Sequence, residues 1–130
     1  MIAMVEDYYP FDFREIKDKN RISLSNDLMK RLDDPKEIVF SKHGINGEER
    51  IIINNANHKI QGEIIGKSRI DNKQRCTIPR KVQYELGFYR PDEQRHQRKN
   101  RKKFVGIIEV ITKDGNFIEL CRIGRIGKHA

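Results

Sequence analysis

Hydrophobic and polar residues alternate in short runs along this chain, and polar turns separate the runs. The first two runs lie within residues 13–24, on either side of a turn at residues 18–20. Because a period of two residues is typical of half-buried strands, this segment predicts a β-hairpin. A short helix is expected next, since Leu28 and Leu32 lie four positions apart and Asp33-Asp34-Pro35 would end it.

The same order of elements recurs 54 residues further along the chain. Residues 16–32 align with residues 70–86 without a gap. Identical residues at equivalent positions are Ile16 and Ile70, Lys19 and Lys73, Arg21 and Arg75, and Leu32 and Leu86. A second alternating hairpin follows each helix, at residues 37–53 and 105–121. We therefore predict a duplicated unit in which no strand pairing needs to be parallel.

Local signals place the helix starts and the turns of this unit. Ser25 is the expected N-cap of the first helix, and Pro79 is suited to the first position of the second. The second hairpin of the first copy is expected to turn in a loop from His43 to Gly47. In the second copy, Asp114-Gly115 between two alternating runs is a strong hairpin signal.

The composition agrees with strands and excludes several classes of protein. The chain has 19 Ile and 5 Val but only 5 Leu and 3 Ala, a bias that favours strands over helices. No stretch approaches the roughly 20 apolar residues that cross a bilayer. The N-terminus carries acidic residues and lacks the long apolar run of a signal peptide. We expect a cytoplasmic protein that is not anchored in a membrane.

The net charge of +8 is distributed unevenly between the two copies. Between Lys67 and Lys81, basic residues outnumber acidic ones six to one, and the run from Arg95 to Lys103 has six basic residues and no acid. In the first copy, the acidic residues Glu15, Asp18 and Asp27 offset part of the positive charge. Runs of this kind bind nucleic acid in some proteins and only solvate a surface in others.

The sequence offers little chemistry for catalysis. Cys76 and Cys121 fall in apolar runs and are expected to be buried thiols, and the four histidines lack the spacing of a metal site. There is no phosphate-cradling glycine motif and no recognisable nucleophile. We therefore predict no enzymatic activity, no cofactor and no metal.

The repeated segment resembles a known family of DNA-binding domains. Asp71, Lys73, Arg75 and Ile78-Pro79, preceded by Arg69 and followed by a short helix that ends at Leu86-Gly87, are similar to the swapped-hairpin domain of the AbrB and MraZ families. Two tandem copies resemble the MraZ arrangement. This sequence departs from the family pattern in having Ser25 in place of proline, Asn20 and Gln74 in place of glycine, and Gln83 and Tyr84 in place of helix arginines.

The resemblance implies a mainly β fold with short helices, in which tandem swapped-hairpin units form a pseudo-two-fold β-barrel. The sequence leaves open whether the copies interleave within one chain or between two chains. The expected divisions are an aromatic segment (1–12), the first repeat (13–56), a linker (57–63), the second repeat (64–123) with a basic insertion (89–103), and a basic tail (124–130).

The function implied by the resemblance is that of a transcriptional regulator that contacts duplex DNA through paired basic hairpins. The candidate DNA-binding residues are Arg14, Lys17, Lys19, Arg21, Lys67, Arg69, Lys73, Arg75, Arg80 and Lys81. The inserted loop adds Arg95, Arg98, Lys99, Arg101, Lys102 and Lys103 as candidates. Double-stranded DNA is the expected partner, and the protein is expected to form homo-oligomers and to associate with the nucleoid.

Two other functions stay open from the sequence. One is the antitoxin of a toxin–antitoxin pair, although the short basic tail after Cys121 lacks the acidic character expected of a toxin-wrapping segment. The other is a structural RNA-binding β protein, which agrees with the basic composition and does not explain the motif. The aromatic cluster Tyr8-Tyr9-Pro10-Phe11-Asp12-Phe13 is expected to pack at an edge rather than to bind a ligand, with oligomer contacts as an alternative.

Overall fold

A computed structural model describes residues 7–88 and 102–123. These residues form a mainly β structure with two helices of six residues each. A single 3-10 turn at Asp18–Asn20 connects the first two strands. The elements in chain order are β1 (Asp7–Glu15), β2 (Arg21–Ser23), α1 (Asn26–Arg31), β3 (Glu37–Ile45), β4 (Glu48–Asn55), β5 (Glu63–Arg69), β6 (Arg75–Thr77), α2 (Arg80–Glu85), β7 (Phe104–Thr112) and β8 (Gly115–Arg122).

Six strands form one antiparallel sheet, and the other two form a separate ribbon. The sheet has the order β1-β7-β8-β4-β3-β5, and the ribbon consists of β2 and β6. The predicted closed barrel is not what the described strands form. The sheet is open because β1 and β5, at its two edges, each pair with one neighbour only.

The edge strands of the sheet pair strands of the two aligned repeats with each other. β1, from the first copy, pairs with β7 of the second copy from Asp7 to Glu15. In the same way, β5, from the second copy, pairs with β3 of the first. The two second hairpins meet in the middle of the sheet, where Ile52 of β4 lies opposite Glu119 of β8. Each copy therefore completes the sheet of the other.

Equivalent residues make equivalent contacts across the β2–β6 ribbon. Ile22 pairs directly with Cys76, which is the equivalent position 54 residues later. On either side of this pair, the amide of Leu24 donates to the carbonyl of Gln74 over 2.8 Å, and the amide of Ile78 donates to the carbonyl of Asn20 over 2.7 Å. The contacts on the two sides of the Ile22–Cys76 pair are therefore equivalent.

Both helices begin and end close to the predicted residues. Ser25 is confirmed as the N-cap of α1, since its hydroxyl accepts the amide of Leu28 over 3.1 Å. Pro79 is the N-cap of α2, one position before the expected one. The residues that follow the helices, Asp33 and Gly87, both adopt left-handed backbone conformations, with φ of 65° and 83°.

The hydrophobic core lies between one face of the sheet, the helices and the ribbon. Leu28 of α1 and Val82 of α2 are fully buried there, together with Phe40 of β3. Gly66 of β5 allows close approach of α2, because a Cβ atom at this position would lie 2.8 Å from the ring of Pro79. The burial of both cysteine thiols is confirmed.

The second hairpin of the first copy turns more tightly than the sequence predicted. β3 continues to Ile45, and the turn consists of Asn46 and Gly47 alone, with φ of 51° and 79°. Two successive left-handed residues are typical of the two-residue hairpin turn that Asn-Gly favours. The predicted loop from His43 was wrong because His43 belongs to the strand and packs against the ring of Phe117 at 5.0 Å between centroids.

Candidate nucleic-acid interface

The ribbon of β2 and β6 presents two arginines on its outer face. Ile22 and Cys76, in the middle of the two strands, are 2% and 1% exposed. Since successive side chains of a strand point to opposite faces, their neighbours Arg21 and Arg75 project outward. Arg21 lies opposite Thr77, and Ser23 lies opposite Arg75. One small surface therefore carries an arginine and a hydroxyl from each copy.

In the second copy, Asp71 organises the turn before the ribbon. Its Oδ1 accepts the amides of Lys73 and Arg75, each over 2.9 Å, and its Oδ2 accepts Nε of Arg75, also over 2.9 Å. The hydrogen bond from the backbone amide of Arg75 is the main cause that lowers the pKa of Asp71 from the usual 3.8. The charged carboxylate therefore fixes the direction of the Arg75 side chain.

The turn of the first copy has a different construction. Lys17 stands at the position equivalent to Asp71, so the turn has no carboxylate there. Lys19 and Asn20 are both left-handed, with φ of 61° and 57°. Arg21 donates through Nε to the carbonyl of Asp18 over 3.4 Å. The arginine of the first copy is thus held by a longer bond to the backbone.

Asn20 and Gln74 are equivalent residues at the ends of the two turns, and each has φ of 57°. Asparagine adopts this left-handed conformation more readily than glutamine. The side-chain amide of Gln74 donates to the carbonyl of Leu24 and to Oδ1 of Asn26, both over 3.0 Å. These bonds offset the backbone cost, so Gln74 reaches the same φ as Asn20.

Basic side chains from both copies meet in one open cleft of about 780 Å³. Arg14, Lys17 and Arg21 of the first copy and Arg75 of the second line this cleft. Arg14 is fixed in its wall, because its Nε donates to the carbonyl of Ser23 over 3.1 Å and its guanidinium pairs with Asp12 over 3.3 Å. The acidic residues Glu15 and Asp18 also line the cleft. The cleft therefore has a mixed charge in which basic groups predominate.

The remaining candidate residues are dispersed around the ribbon. Lys67 and Arg69 are exposed on β5, Lys73 is exposed in its turn, and Arg80 and Lys81 are exposed at the start of α2. In the inserted loop, Lys102 is exposed. Lys103 has a structural contact, because its Nζ donates to Oε1 of Gln83 over 3.0 Å. Four loop candidates lie outside the described residues: Arg95, Arg98, Lys99 and Arg101.

Two residues have positions that the sequence did not indicate. Phe13 is 51% exposed and lines the cleft beside Arg14. Gln83 is fully buried and donates from its amide to the carbonyl of Ile78 over 3.0 Å. Helix α2 therefore turns the Gln83 position inward, and only Tyr84 of this pair is exposed. The alternation of residues in β1 predicts that Phe13 lies on one face of the strand. It does not show which of the two faces the core covers, so the exposure of Phe13 could not be predicted.

The described part of the chain offers little other chemistry. Within residues 7–88 and 102–123, no group of three His, Cys, Asp or Glu side chains is placed to hold a metal ion. Burial raises the pKa of the Cys76 thiol to about 12, so this thiol is neutral near pH 7. In those same ranges, neither helix is long and apolar enough to cross a membrane.

Comparisons of the chain with protein-family models, with curated proteins and with solved structures found no match. The chemistry of this surface therefore follows from its own residues alone. Its outer face offers guanidinium, ammonium and hydroxyl donors from both copies, arranged about the Ile22–Cys76 pair. Such a surface can bind an extended anion that accepts hydrogen bonds.

Proposed function

We propose that this protein is a DNA-binding transcriptional regulator that contacts duplex DNA through the β2–β6 ribbon and its two flanking turns. The observation that carries the proposal is the pairing of Ile22 with Cys76. This pairing places Arg21 and Arg75 on one outward face and brings the turns with Lys19 and Lys73 to its two sides. Two equivalent basic turns about one axis match the two-fold character of duplex DNA.

The proposal includes a swapped-hairpin fold of the AbrB and MraZ type. The exchange of β1 and β5 between the copies supports it, since each first strand pairs with the hairpin of the other copy. The ribbon supports it as well, because one of its strands comes from each copy. A single chain then supplies both halves of the surface.

The chemistry of the ribbon suits the major groove. The groove admits a two-stranded β-ribbon, and an arginine can donate two parallel hydrogen bonds to the O6 and N7 atoms of guanine. The carboxylate of Asp71 orients Arg75 for such a contact through a 2.9 Å bond to Nε, which leaves the terminal nitrogens for a ligand. Lysines at the turns are suited to phosphates, whose neutralisation releases counterions.

The experiment selects duplexes from a random-sequence pool with the full-length protein and then measures affinity for an enriched duplex. The test variant is Arg21→Ala/Arg75→Ala. The control is Lys59→Ala/Lys113→Ala, which removes the same charge from exposed residues that do not line the cleft of Arg21. Loss of two bidentate contacts predicts a decrease in affinity of at least about tenfold for the test variant.

The control variant is expected to bind within about twofold of the wild type, because distant charges are largely screened at physiological salt. Thermal unfolding of both variants, followed by circular dichroism, shows whether they are folded. Failure of the wild type to enrich any duplex would contradict the proposal. An equal loss of affinity in both folded variants would show that the ribbon is not the contact surface.

A further inference from the structure

The flanks of the proposed surface differ systematically between the two copies. Residues 13–27 carry four basic and three acidic side chains, whereas the equivalent residues 67–81 carry six and one. Four pairs of equivalent positions make the second copy more basic, an effect that the pairs Arg14/Ser68 and Lys17/Asp71 offset only in part. The four are Phe13 and Lys67, Glu15 and Arg69, Asn26 and Arg80, and Asp27 and Lys81. All four members from the second copy are exposed.

The centre of the surface is alike in both copies. Arg21 and Arg75 are equivalent, as are the turn residues Lys19 and Lys73. The symmetry of the backbone pairing is therefore retained at the ribbon, while the chemistry of the flanks is not symmetric. A duplex centred on the ribbon would meet different groups on its two sides.

We infer that this surface binds an asymmetric duplex site in one fixed orientation, with the second copy holding the phosphate backbone. This inference rests on the proposed function. Lys67, Arg69, Arg80 and Lys81 are the groups that would neutralise phosphates on the second-copy side. On the first-copy side, Glu15 and Asp27 repel phosphates and disfavour the same contact. The reversed orientation would exchange these environments and remove the phosphate contacts of one half-site.

Phe13 supplies a different contact on the first-copy side. Its ring is 51% exposed in the cleft that also contains Arg14, Lys17 and Arg21. An apolar ring beside arginines can contact the methyl group of thymine while the arginines reach neighbouring base edges. The first-copy half-site is therefore read through bases, and the second-copy half-site is held through phosphates.

The first experiment maps the orientation of the bound protein by directed DNA cleavage. Asp18→Cys and Asn72→Cys are a matched pair, since the two residues are equivalent and both are exposed at the tips of the turns. An iron–EDTA reagent is attached to the new thiol, and cuts are mapped on a duplex enriched by the wild type. The wild type treated in the same way is the control, because its thiols at Cys76 and Cys121 are buried.

A fixed orientation predicts that the reagent at position 72 cuts on one side of the site and the reagent at position 18 cuts on the other. If each variant cuts both sides equally, the protein binds in two orientations and the inference is wrong. If the wild type retains no duplex at all, the proposed function fails together with the inference. The two kinds of failure are therefore distinguishable.

The second experiment measures how affinity depends on salt. Lys67→Gln/Arg69→Gln is expected to reduce the slope of log affinity against log salt by about 0.9 for each phosphate that the variant no longer neutralises. The matched variant Phe13→Gln/Glu15→Gln should not reduce this slope, because neither of its original side chains neutralises a phosphate. It should instead reduce discrimination between the enriched duplex and a randomised one. An equal reduction of the slope in both variants would contradict the assignment of phosphate contacts to the second copy and of base contacts to the first.

Discussion

Arg31, at the end of α1, forms an ion pair with Glu109 of β7, with 2.7 Å between Nε and Oε2. When β7 (Phe104–Thr112) is aligned with β3 (Glu37–Ile45), the equivalent positions in the other half hold Glu85 and Lys42, whose charged atoms lie 3.5 Å apart. The two halves therefore contain the same contact with its charges reversed. If a first copy paired with another first copy, Arg31 would face Lys42. If a second copy paired with another second copy, Glu85 would face Glu109. Because like charges would repel each other in both of these alternative pairings, the charges favour the pairing of a first copy with a second copy.

The Arg31–Glu109 pair gives the first prediction. Glu109→Lys places two positive groups together and is expected to lower the free energy of unfolding by about 1 kcal/mol, since the pair is partly exposed. Arg31→Glu/Glu109→Lys restores an attractive pair and should recover most of this loss. Urea unfolding of the wild type, both single variants and the double variant measures the coupling. Additive effects in this cycle would contradict the assigned contact.

A second, buried ion pair lies near the centre of the sheet. Arg50 of β4 is 3% exposed and Glu119 of β8 is 1% exposed, and Nη1 lies 3.5 Å from Oε1. Aligning β4 (Glu48–Asn55) with β8 (Gly115–Arg122) makes Phe117 and Ile52 the residues equivalent to Arg50 and Glu119, so this pair also depends on unlike copies meeting. Two second copies would place Glu119 opposite another Glu119, because Glu119 lies opposite its own equivalent, Ile52.

Glu119→Ile is predicted to be destabilising, by about 1–3 kcal/mol, because it removes one of two carboxylates near the buried guanidinium of Arg50, which keeps Glu48 at 3.4 Å. Arg50→Phe/Glu119→Ile copies the residues of the equivalent positions and removes both charges. It should therefore be more stable than Glu119→Ile alone. Chemical denaturation of the three proteins checks the order. A double variant less stable than Glu119→Ile would show that the charge at Arg50 is not the source of the cost.

Local features of this fold could be predicted from the sequence, whereas the assembly of the copies could not. Ser25 and the stripe of Leu28 and Leu32 define α1 through contacts within a few residues, so the pattern was sufficient. The exchange of β1 and β5 depends on contacts between residues far apart in the chain, and alternation does not specify the partner of a strand. The same limit applies to Phe13, because its exposure depends on where the other copy packs.

The ends of the helices give a prediction from equivalent residues of different type. Asp33 and Gly87 are 54 positions apart and both left-handed, but only glycine adopts this conformation without strain. Asp33→Gly is expected to raise the free energy of unfolding by about 0.5–1 kcal/mol. Gly87→Ala should lower it by about 1–2 kcal/mol, because the new Cβ is strained and lies 3.0 Å from a guanidinium nitrogen of Arg122. Urea titration of both variants tests the opposite signs.

The turn at Asp71 gives a prediction about pH. Since hydrogen bonds from Arg75 and Lys73 lower the pKa of Asp71 in the folded chain, the charged carboxylate stabilises the fold. This stabilisation is fully present above the unfolded value near 3.8 and is lost as the pH falls through the lower folded value.

Asp71→Asn keeps a side-chain oxygen that can accept the two amides, but it has no charge to lose. The wild type is therefore expected to be more stable than Asp71→Asn at pH 7, and the difference should decrease as the pH falls below 4. Urea midpoints of both proteins between pH 7 and pH 2 measure this difference. A difference that does not change with pH would show that the carboxylate charge at Asp71 does not stabilise the turn.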